Sequence, residues 1–100
     1  MTIVYHYTTA KRAAGIQKVG LWAQSSATTS PRLTAREAVT LLGLRTVPDV
    51  VVAFRNGREF VPNKPMEVRP HALGVGGGVD LTNPRRVPPE CIVSIDPVKR

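Results

Sequence analysis

A chain of 100 residues has room for one modest core, burying about two-thirds of the surface its unfolded form exposes, which excludes a large cofactor-binding domain. Fourteen Lys and Arg against seven Asp and Glu give a formal charge of +7, and ten of the fourteen are Arg, so the surface field favours an anionic partner met through phosphate or carboxylate. No stretch approaches the roughly 18 apolar residues of a membrane span, no signal-peptide pattern opens the sequence, and the lone Cys91 can close no intrachain disulfide.

The first element is a short strand over residues 2 to 7, rich in β-formers, that delivers His6, Tyr7 and Thr8 to its C-terminal end. Thr8 or Thr9 then caps a helix carrying Ala13, Ala14, Ile16 and Val19 as its apolar positions, and Gly20 ends it. Residues 22–33 have no sustained period and are crowded with hydroxyls, which predicts a loop with one extended piece. A second helix starts at Thr34, where Thr34 and Glu37 match the capping box; Ala38, Leu41 and Leu42 share a face, and Gly43 stands where it should stop.

Val50 to Phe54 reads as a strand, and Asn56-Gly57 is a strong hairpin signal, predicting a return through Glu59-Phe60-Val61. Beyond Pro62, the prolines at 65 and 70 and the Gly-Val-Gly-Gly-Gly run at 74–78 forbid a long regular element. Asn83-Pro84 and Pro88-Pro89 punctuate, and Cys91 to Ile95 forms a last strand in which the thiol is a small core residue. The expected class is α+β: a single domain over 1–100 with a mostly antiparallel sheet arrangement and two short helices, since few strands are separated by crossover helices.

Several chemistries lack their parts. The glycine run is not followed by Lys-Ser or Lys-Thr and a helix, so it is not a phosphate loop. Two histidines and one cysteine, far apart, make a zinc site improbable, and Ser25-Ser26 have neither an elbow nor a base for a hydrolase triad. Two residues remain as candidates. His6 sits at a strand exit, opposite in face to Tyr5 and Tyr7, and is either a hydrogen-bonded structural residue or a functional one. Asp80 follows three glycines that allow close approach of a ligand, and is otherwise a turn aspartate, whereas His71 reads as an exposed loop residue.

Val4-Tyr5-His6-Tyr7-Thr8-Thr9, an amphipathic stretch, and then Ile16-Gln17-Lys18-Val19-Gly20-Leu21 resemble the opening of the ADP-ribosyltransferase fold, whose first strand ends in His-x-Thr or His-x-Ser. More narrowly, the chain resembles small bacterial toxin domains with a His-Tyr-Asp signature, found at the C-terminal tips of contact-dependent-inhibition and Rhs-type proteins. Gly76-Gly77-Gly78-Val79-Asp80-Leu81-Thr82, with Val87-Pro88-Pro89-Glu90-Cys91-Ile92 behind it, is similar to the family's final catalytic strand and the entry to the next.

The resemblance implies a split-β architecture, NAD as co-substrate and catalysis by His6 and Asp80. His6 would bind a ribose hydroxyl and Asp80 would steady the oxocarbenium that forms as nicotinamide departs. Tyr7, Thr8, Thr28, Thr29, Arg32 and Arg36 would complete the cofactor-binding set, the arginines toward the pyrophosphate. No tyrosine occurs between residues 21 and 50 to match the family's middle motif; Trp22 and the hydroxyls from Ser25 to Thr29 occupy that stretch.

The implied protein is an antibacterial toxin domain at the tip of a larger delivered protein, acting in the target-cell cytoplasm and held in check by an acidic immunity protein. Its acceptor would be protein, RNA or a small molecule. The charge is indifferent to NAD and favours a metal-independent toxin ribonuclease cleaving tRNA or rRNA, for which His6, His71, Tyr5, Tyr7, the hydroxyls and the arginines supply the parts: a base for the 2'-hydroxyl, an acid for the leaving oxygen and cations for the phosphorane. A non-enzymatic basic RNA- or protein-binding module is a third alternative, with only five aromatic residues to stack on bases.

Overall fold

The computed structural model describes residues 2–29, 31–42, 44, 46–62 and 81–99. Gly43, Pro65, Pro70, His71, the glycines at 74–78 and Asp80 lie outside the described residues, as do the side chains of Leu41 and Leu42. Strand β1 spans Thr2–Thr8, helix α1 Ala10–Val19, β2 Ser26–Ala27, α2 Ala35–Leu42, β3 Val50–Asn56, β4 Val61–Pro62, β5 Leu81–Thr82 and β6 Ile92–Pro97, the last entered through a 3-10 turn at Pro89–Cys91.

Two antiparallel three-stranded sheets result. The larger has the order β1-β3-β6, with β3 in the centre, Val4 opposite Phe54 and His6 opposite Val52. Its outer pairing shifts register between Ala53 and Phe54, which skips Val93 and leaves that side chain 53% exposed. The smaller sheet, β2-β5-β4, is built of two-residue strands, Ser26 opposite Thr82 and Thr82 opposite Val61.

Alternation along β1 and β3 divides the apolar side chains between two faces. Val4, Val52 and Phe54 turn to one face and pack with Ala13 and Ile16 of α1, with Leu21 and Val87, and with Ala27 and Leu81 of the small sheet. Tyr7 and Val51 turn to the other and meet Ala38 of α2. β3 is thus buried on both faces from Val51 to Phe54, which is why it reads as an unbroken apolar run. Fully burying aliphatic and aromatic side chains such as Val4, Val52 and Phe54 contributes about 1.5–3 kcal/mol apiece.

The helix ends follow the sequence closely. Thr9 is the cap of α1, its hydroxyl accepting Arg12 N–H at 3.3 Å, and Asp49 Oδ1 takes Ala10 N–H at 2.5 Å. At α2 the capping box forms as expected, with Thr34 and Glu37 exchanging backbone-to-side-chain bonds of 3.1 Å in both directions. Of the expected apolar face of α1, Ala13 and Ile16 are buried while Ala14 and Val19 face outward, so the helix docks through a narrow stripe.

Asn56-Gly57 does not make the expected hairpin. β3 pairs with β1 and β6, and β4 pairs with β5 in the other sheet. The turn is instead closed by side chains: Glu59 carboxylate oxygens accept Gly57 and Arg58 N–H, and Asn56 Oδ1 accepts Phe60 N–H, each at 3.0 Å. Phe60 is then buried against Phe54, ring centroids 5.7 Å apart, and that contact carries the chain from one sheet to the other. Cys91 is half-buried at the edge of the same core, and burial pushes its thiol pKa up, consistent with a packing role.

Gly20 ends α1 with φ +88°, and a Cβ there would lie 2.1 Å from the Val87 carbonyl oxygen, so Gly20→Ala is expected to destabilise by about 2 kcal/mol or more. A Cβ on Gly15, inside the same helix, meets nothing within 4 Å, and Gly15→Ala should stabilise by about 0.5–1 kcal/mol. Urea denaturation of the two variants checks both signs; equal effects would contradict the assigned backbone conformations.

Candidate active site

A cleft of about 700 Å³ opens where β1 ends and α1 begins. One wall is the end of β1, from His6 to Thr9; a second is the α1 face that carries Arg12, Ile16 and Val19, at helical spacing; a third is the turn from Trp22 to Ser26. Leu44 and Thr46, on the way into β3, close the end near Tyr7 and Thr8.

His6 is fixed at the base of these walls. Its Nδ1 lies 2.6 Å from the carbonyl oxygen of Ser26, and since a carbonyl can only accept, Nδ1 carries the proton and Nε2 is the acceptor. Burial holds the imidazole pKa below its ordinary value of 6.5; the Ser26 carbonyl pulls the other way and the Arg12 guanidinium adds to the lowering. The ring is therefore neutral at pH 7. Among the described residues no group donates to Nε2, so the cleft offers a ligand hydroxyl one oriented acceptor with a cation, Arg12, nearby.

Tyr7 and Thr8 also line the cleft, and both are buried. The Tyr7 hydroxyl accepts Leu33 N–H at 3.0 Å and burial raises its phenol pKa, so it ties the loop before α2 to the sheet. Thr28 is fully buried and its backbone pairs with Tyr5, N–H to carbonyl at 2.7 and 2.9 Å. Thr28, exposed Thr29, and exposed Arg32 and Arg36 are not among the residues that line the cleft. His6, Tyr7 and Thr8 are thus brought together, whereas Asp80 lies outside the described residues.

Sequence reasoning missed what holds the third wall. Gln24 adopts the left-handed region at φ +63°, unusual for a residue with a Cβ, and its N–H donates to the Asn83 carbonyl at 2.7 Å. The fully buried Asn83 side chain donates from Nδ2 to the carbonyls of Trp22 (2.9 Å) and Arg85 (2.8 Å), and its Oδ1 accepts Ser25 N–H at 3.1 Å. Ser25 Oγ adds a 2.7 Å bond to the same Trp22 carbonyl. A turn with few apolar contacts is so fixed by one carboxamide, and the Trp22 indole it carries is left 69% exposed at the cleft mouth.

Arg12 was legible in principle, four residues before Ile16 and seven before Val19 on one helical face; Asn83 was hidden by the turn signal of Asn83-Pro84. Among the described residues no group of three or more His, Cys, Asp or Glu is arranged to hold a metal ion, and no helix is long and apolar enough to cross a membrane. No family model, no curated protein and no solved structure matches the chain.

The lowered His6 pKa fixes a sign. The unfolded chain takes up a proton near pH 6.5 while the folded ring resists it, so stability is level above that pH and falls as pH drops below it. Urea midpoints measured from about pH 7.5 to 5.5, above the carboxylate range, should fall for the native chain and stay level for His6→Gln. A flat native profile would show that the ring is not desolvated.

Proposed function

We propose that this domain transfers ADP-ribose from NAD, within an antibacterial toxin that is delivered into a target cell and acts in its cytoplasm. The observation that carries the reading is the neutral His6 whose Nδ1–H is spent on Ser26, leaving Nε2 as an acceptor in a cleft bordered by the Arg12 cation. Cleavage of the nicotinamide-ribose bond asks an enzyme to hold a bent dinucleotide and to face the developing positive charge with a carboxylate; proton transfer is secondary. A neutral imidazole locked in one tautomer suits that role, since it accepts from a ribose hydroxyl without adding positive charge beside the reacting carbon.

Two further features support the assignment. The reading draws support from the two-sheet α+β arrangement, in which the histidine strand leads directly into a helix. β5, which begins one residue after Asp80, pairs with Ser26, the residue whose carbonyl holds His6. In this reading His6 binds the nicotinamide-side ribose, Thr8 supports it, Arg12 takes the pyrophosphate in place of Arg32 and Arg36, and Asp80 supplies the carboxylate. An acidic immunity protein completes the system, because opposite charge speeds capture of a basic toxin.

The charge of +7 favours a second reading, a metal-independent toxin ribonuclease, because backbone phosphates dominate affinity for basic proteins. Incubation with adenylate-labelled NAD and with total tRNA and rRNA separates the two. The transferase releases nicotinamide and passes label to an acceptor, and Asp80→Ala should lower the rate about a hundred-fold or more, His6→Ala somewhat less. RNA fragments formed without NAD would replace this reading with the ribonuclease. Full activity in folded His6→Ala and Asp80→Ala would remove the site.

A further inference from the structure

The mouth of the cleft differs in chemistry from its interior. α1 carries Lys11, Arg12 and Lys18, all exposed, and no acidic residue. Arg12 lies on the face that lines the cleft, and Lys11 and Lys18, two turns apart on one face, lie roughly a third of a turn from it. Arg85 and Arg86 extend the same lip. Arg86 Nη1 donates to the Val19 carbonyl at the end of α1, where a cation also meets the negative end of the helix dipole. The Arg85 carbonyl shares the Asn83 carboxamide with the Trp22 carbonyl, so the backbone that carries the arginine pair passes close to the backbone of the tryptophan.

Among the described residues two acids border the helix. Asp49 is engaged by Ala10 N–H, and Glu90 sits in the 3-10 turn packed against α1. Five cations outweigh them. Trp22, which lines the cleft, is 69% exposed on a backbone pinned at both its carbonyl and the following turn. A bare indole on a rigid mount pays little entropy to receive a flat group on its face, and nearby cations add to this where phosphates recur along the same ligand, the combination that single-stranded nucleic acid presents.

We propose that the lip formed by Lys18, Arg85 and Arg86 around Trp22 binds single-stranded RNA, so that the acceptor of the transfer is RNA. The strand is single because a base inside a duplex has no free face to give the indole. The inference rests on the transferase reading and explains a charge that NAD does not require. In the step itself, the bond between the ribose C1 and the nicotinamide nitrogen breaks, and its electron pair leaves with nicotinamide. A lone pair from a nitrogen or oxygen of the RNA closes the new bond to C1, and the proton that atom carried passes to solvent.

Trp22 is the only tryptophan in the chain, so its emission reports directly on the lip. The full chain is titrated with a mixed-sequence oligoribonucleotide of about twelve nucleotides, single-stranded or annealed, and separately with NAD. The single strand should quench the indole, and NAD should not. Affinity should fall with salt at a logarithmic slope of about −2, flattened by roughly 0.7 in each of Lys18→Gln and Arg85→Gln. Trp22→Ala, followed by anisotropy of a labelled strand, should bind about ten-fold more weakly or worse. With labelled NAD present, the label should appear on the RNA.

Quenching by NAD would assign the indole to the donor and overturn the proposal, as would equal binding of duplex, or label appearing on protein while RNA stays unlabelled. Nicotinamide release without RNA binding would sink this inference and leave the transferase standing. RNA binding with no consumption of NAD would do the reverse to the transferase reading and would end RNA's role as acceptor.

Discussion

The structure depends on the seam where its two sheets meet. Tyr5 and Thr28 exchange a pair of backbone hydrogen bonds across it, and one residue along, the His6 side chain reaches the carbonyl of Ser26. Strands of two residues, such as β2, cannot hold themselves by their own ladder, because each closed bond must offset the fixing of several backbone dihedrals. β2 persists because the seam anchors it on one side and β5 on the other. The cleft is the gap left where that seam stops and α1 turns away, so the imidazole that closes the seam is also the group at the base of the cleft.

This double duty explains the protonation state. A charged ring at this position would have to leave water beside Arg12, and the single carbonyl available to it would offset only part of that cost. The neutral ring needs no such compensation and keeps the geometry. Asn83 performs a comparable task on the opposite wall, where the backbone from Trp22 to Ser25 turns sharply and has little apolar surface to bury. One fully buried carboxamide serves groups from two segments, the Trp22 carbonyl and Ser25 N–H of the turn and the Arg85 carbonyl beyond it, and a buried polar group left unpaired costs about 1–3 kcal/mol. Gln24 in the left-handed region is the strain which that network supports.

How much of this the amino-acid sequence reveals depends on the range of each interaction. Elements specified locally are legible: the strand through His6, the helix from the Thr9 cap to Gly20, the Thr34/Glu37 box and the apolar run of β3 all appear at or near their expected positions. Elements specified from a distance are not. β2, β4 and β5 are too short to show alternation, and the split into two sheets follows from them. The Asn56-Gly57 signal fails because Glu59 and Asn56 spend their side chains on the turn's own N–H groups, while Phe60 gains more by packing on Phe54 than by returning beside β3. Within the cleft, His6, Tyr7 and Thr8 share one strand end and were legible together; Arg12, Gln24 and Asn83 belong to it through packing.

The cleft therefore divides its electrostatics by depth. Its base holds a neutral acceptor whose orientation is set by a backbone carbonyl, and its lip holds cations with ordinary access to water. Charges at the lip act over about a Debye length, roughly 8–10 Å at physiological salt, and so govern encounter with an anion and the salt dependence of its capture. The base acts only within hydrogen-bond reach and is shielded from that screening, so its effect depends on the direction of the acceptor rather than on distance alone. Were the histidine charged, its field would merge with that of Arg12 and the base would attract phosphate as readily as the lip does. Neutrality at depth is what keeps a hydrogen-bond acceptor at the base of the cleft distinct from the cations at its mouth in a strongly basic domain.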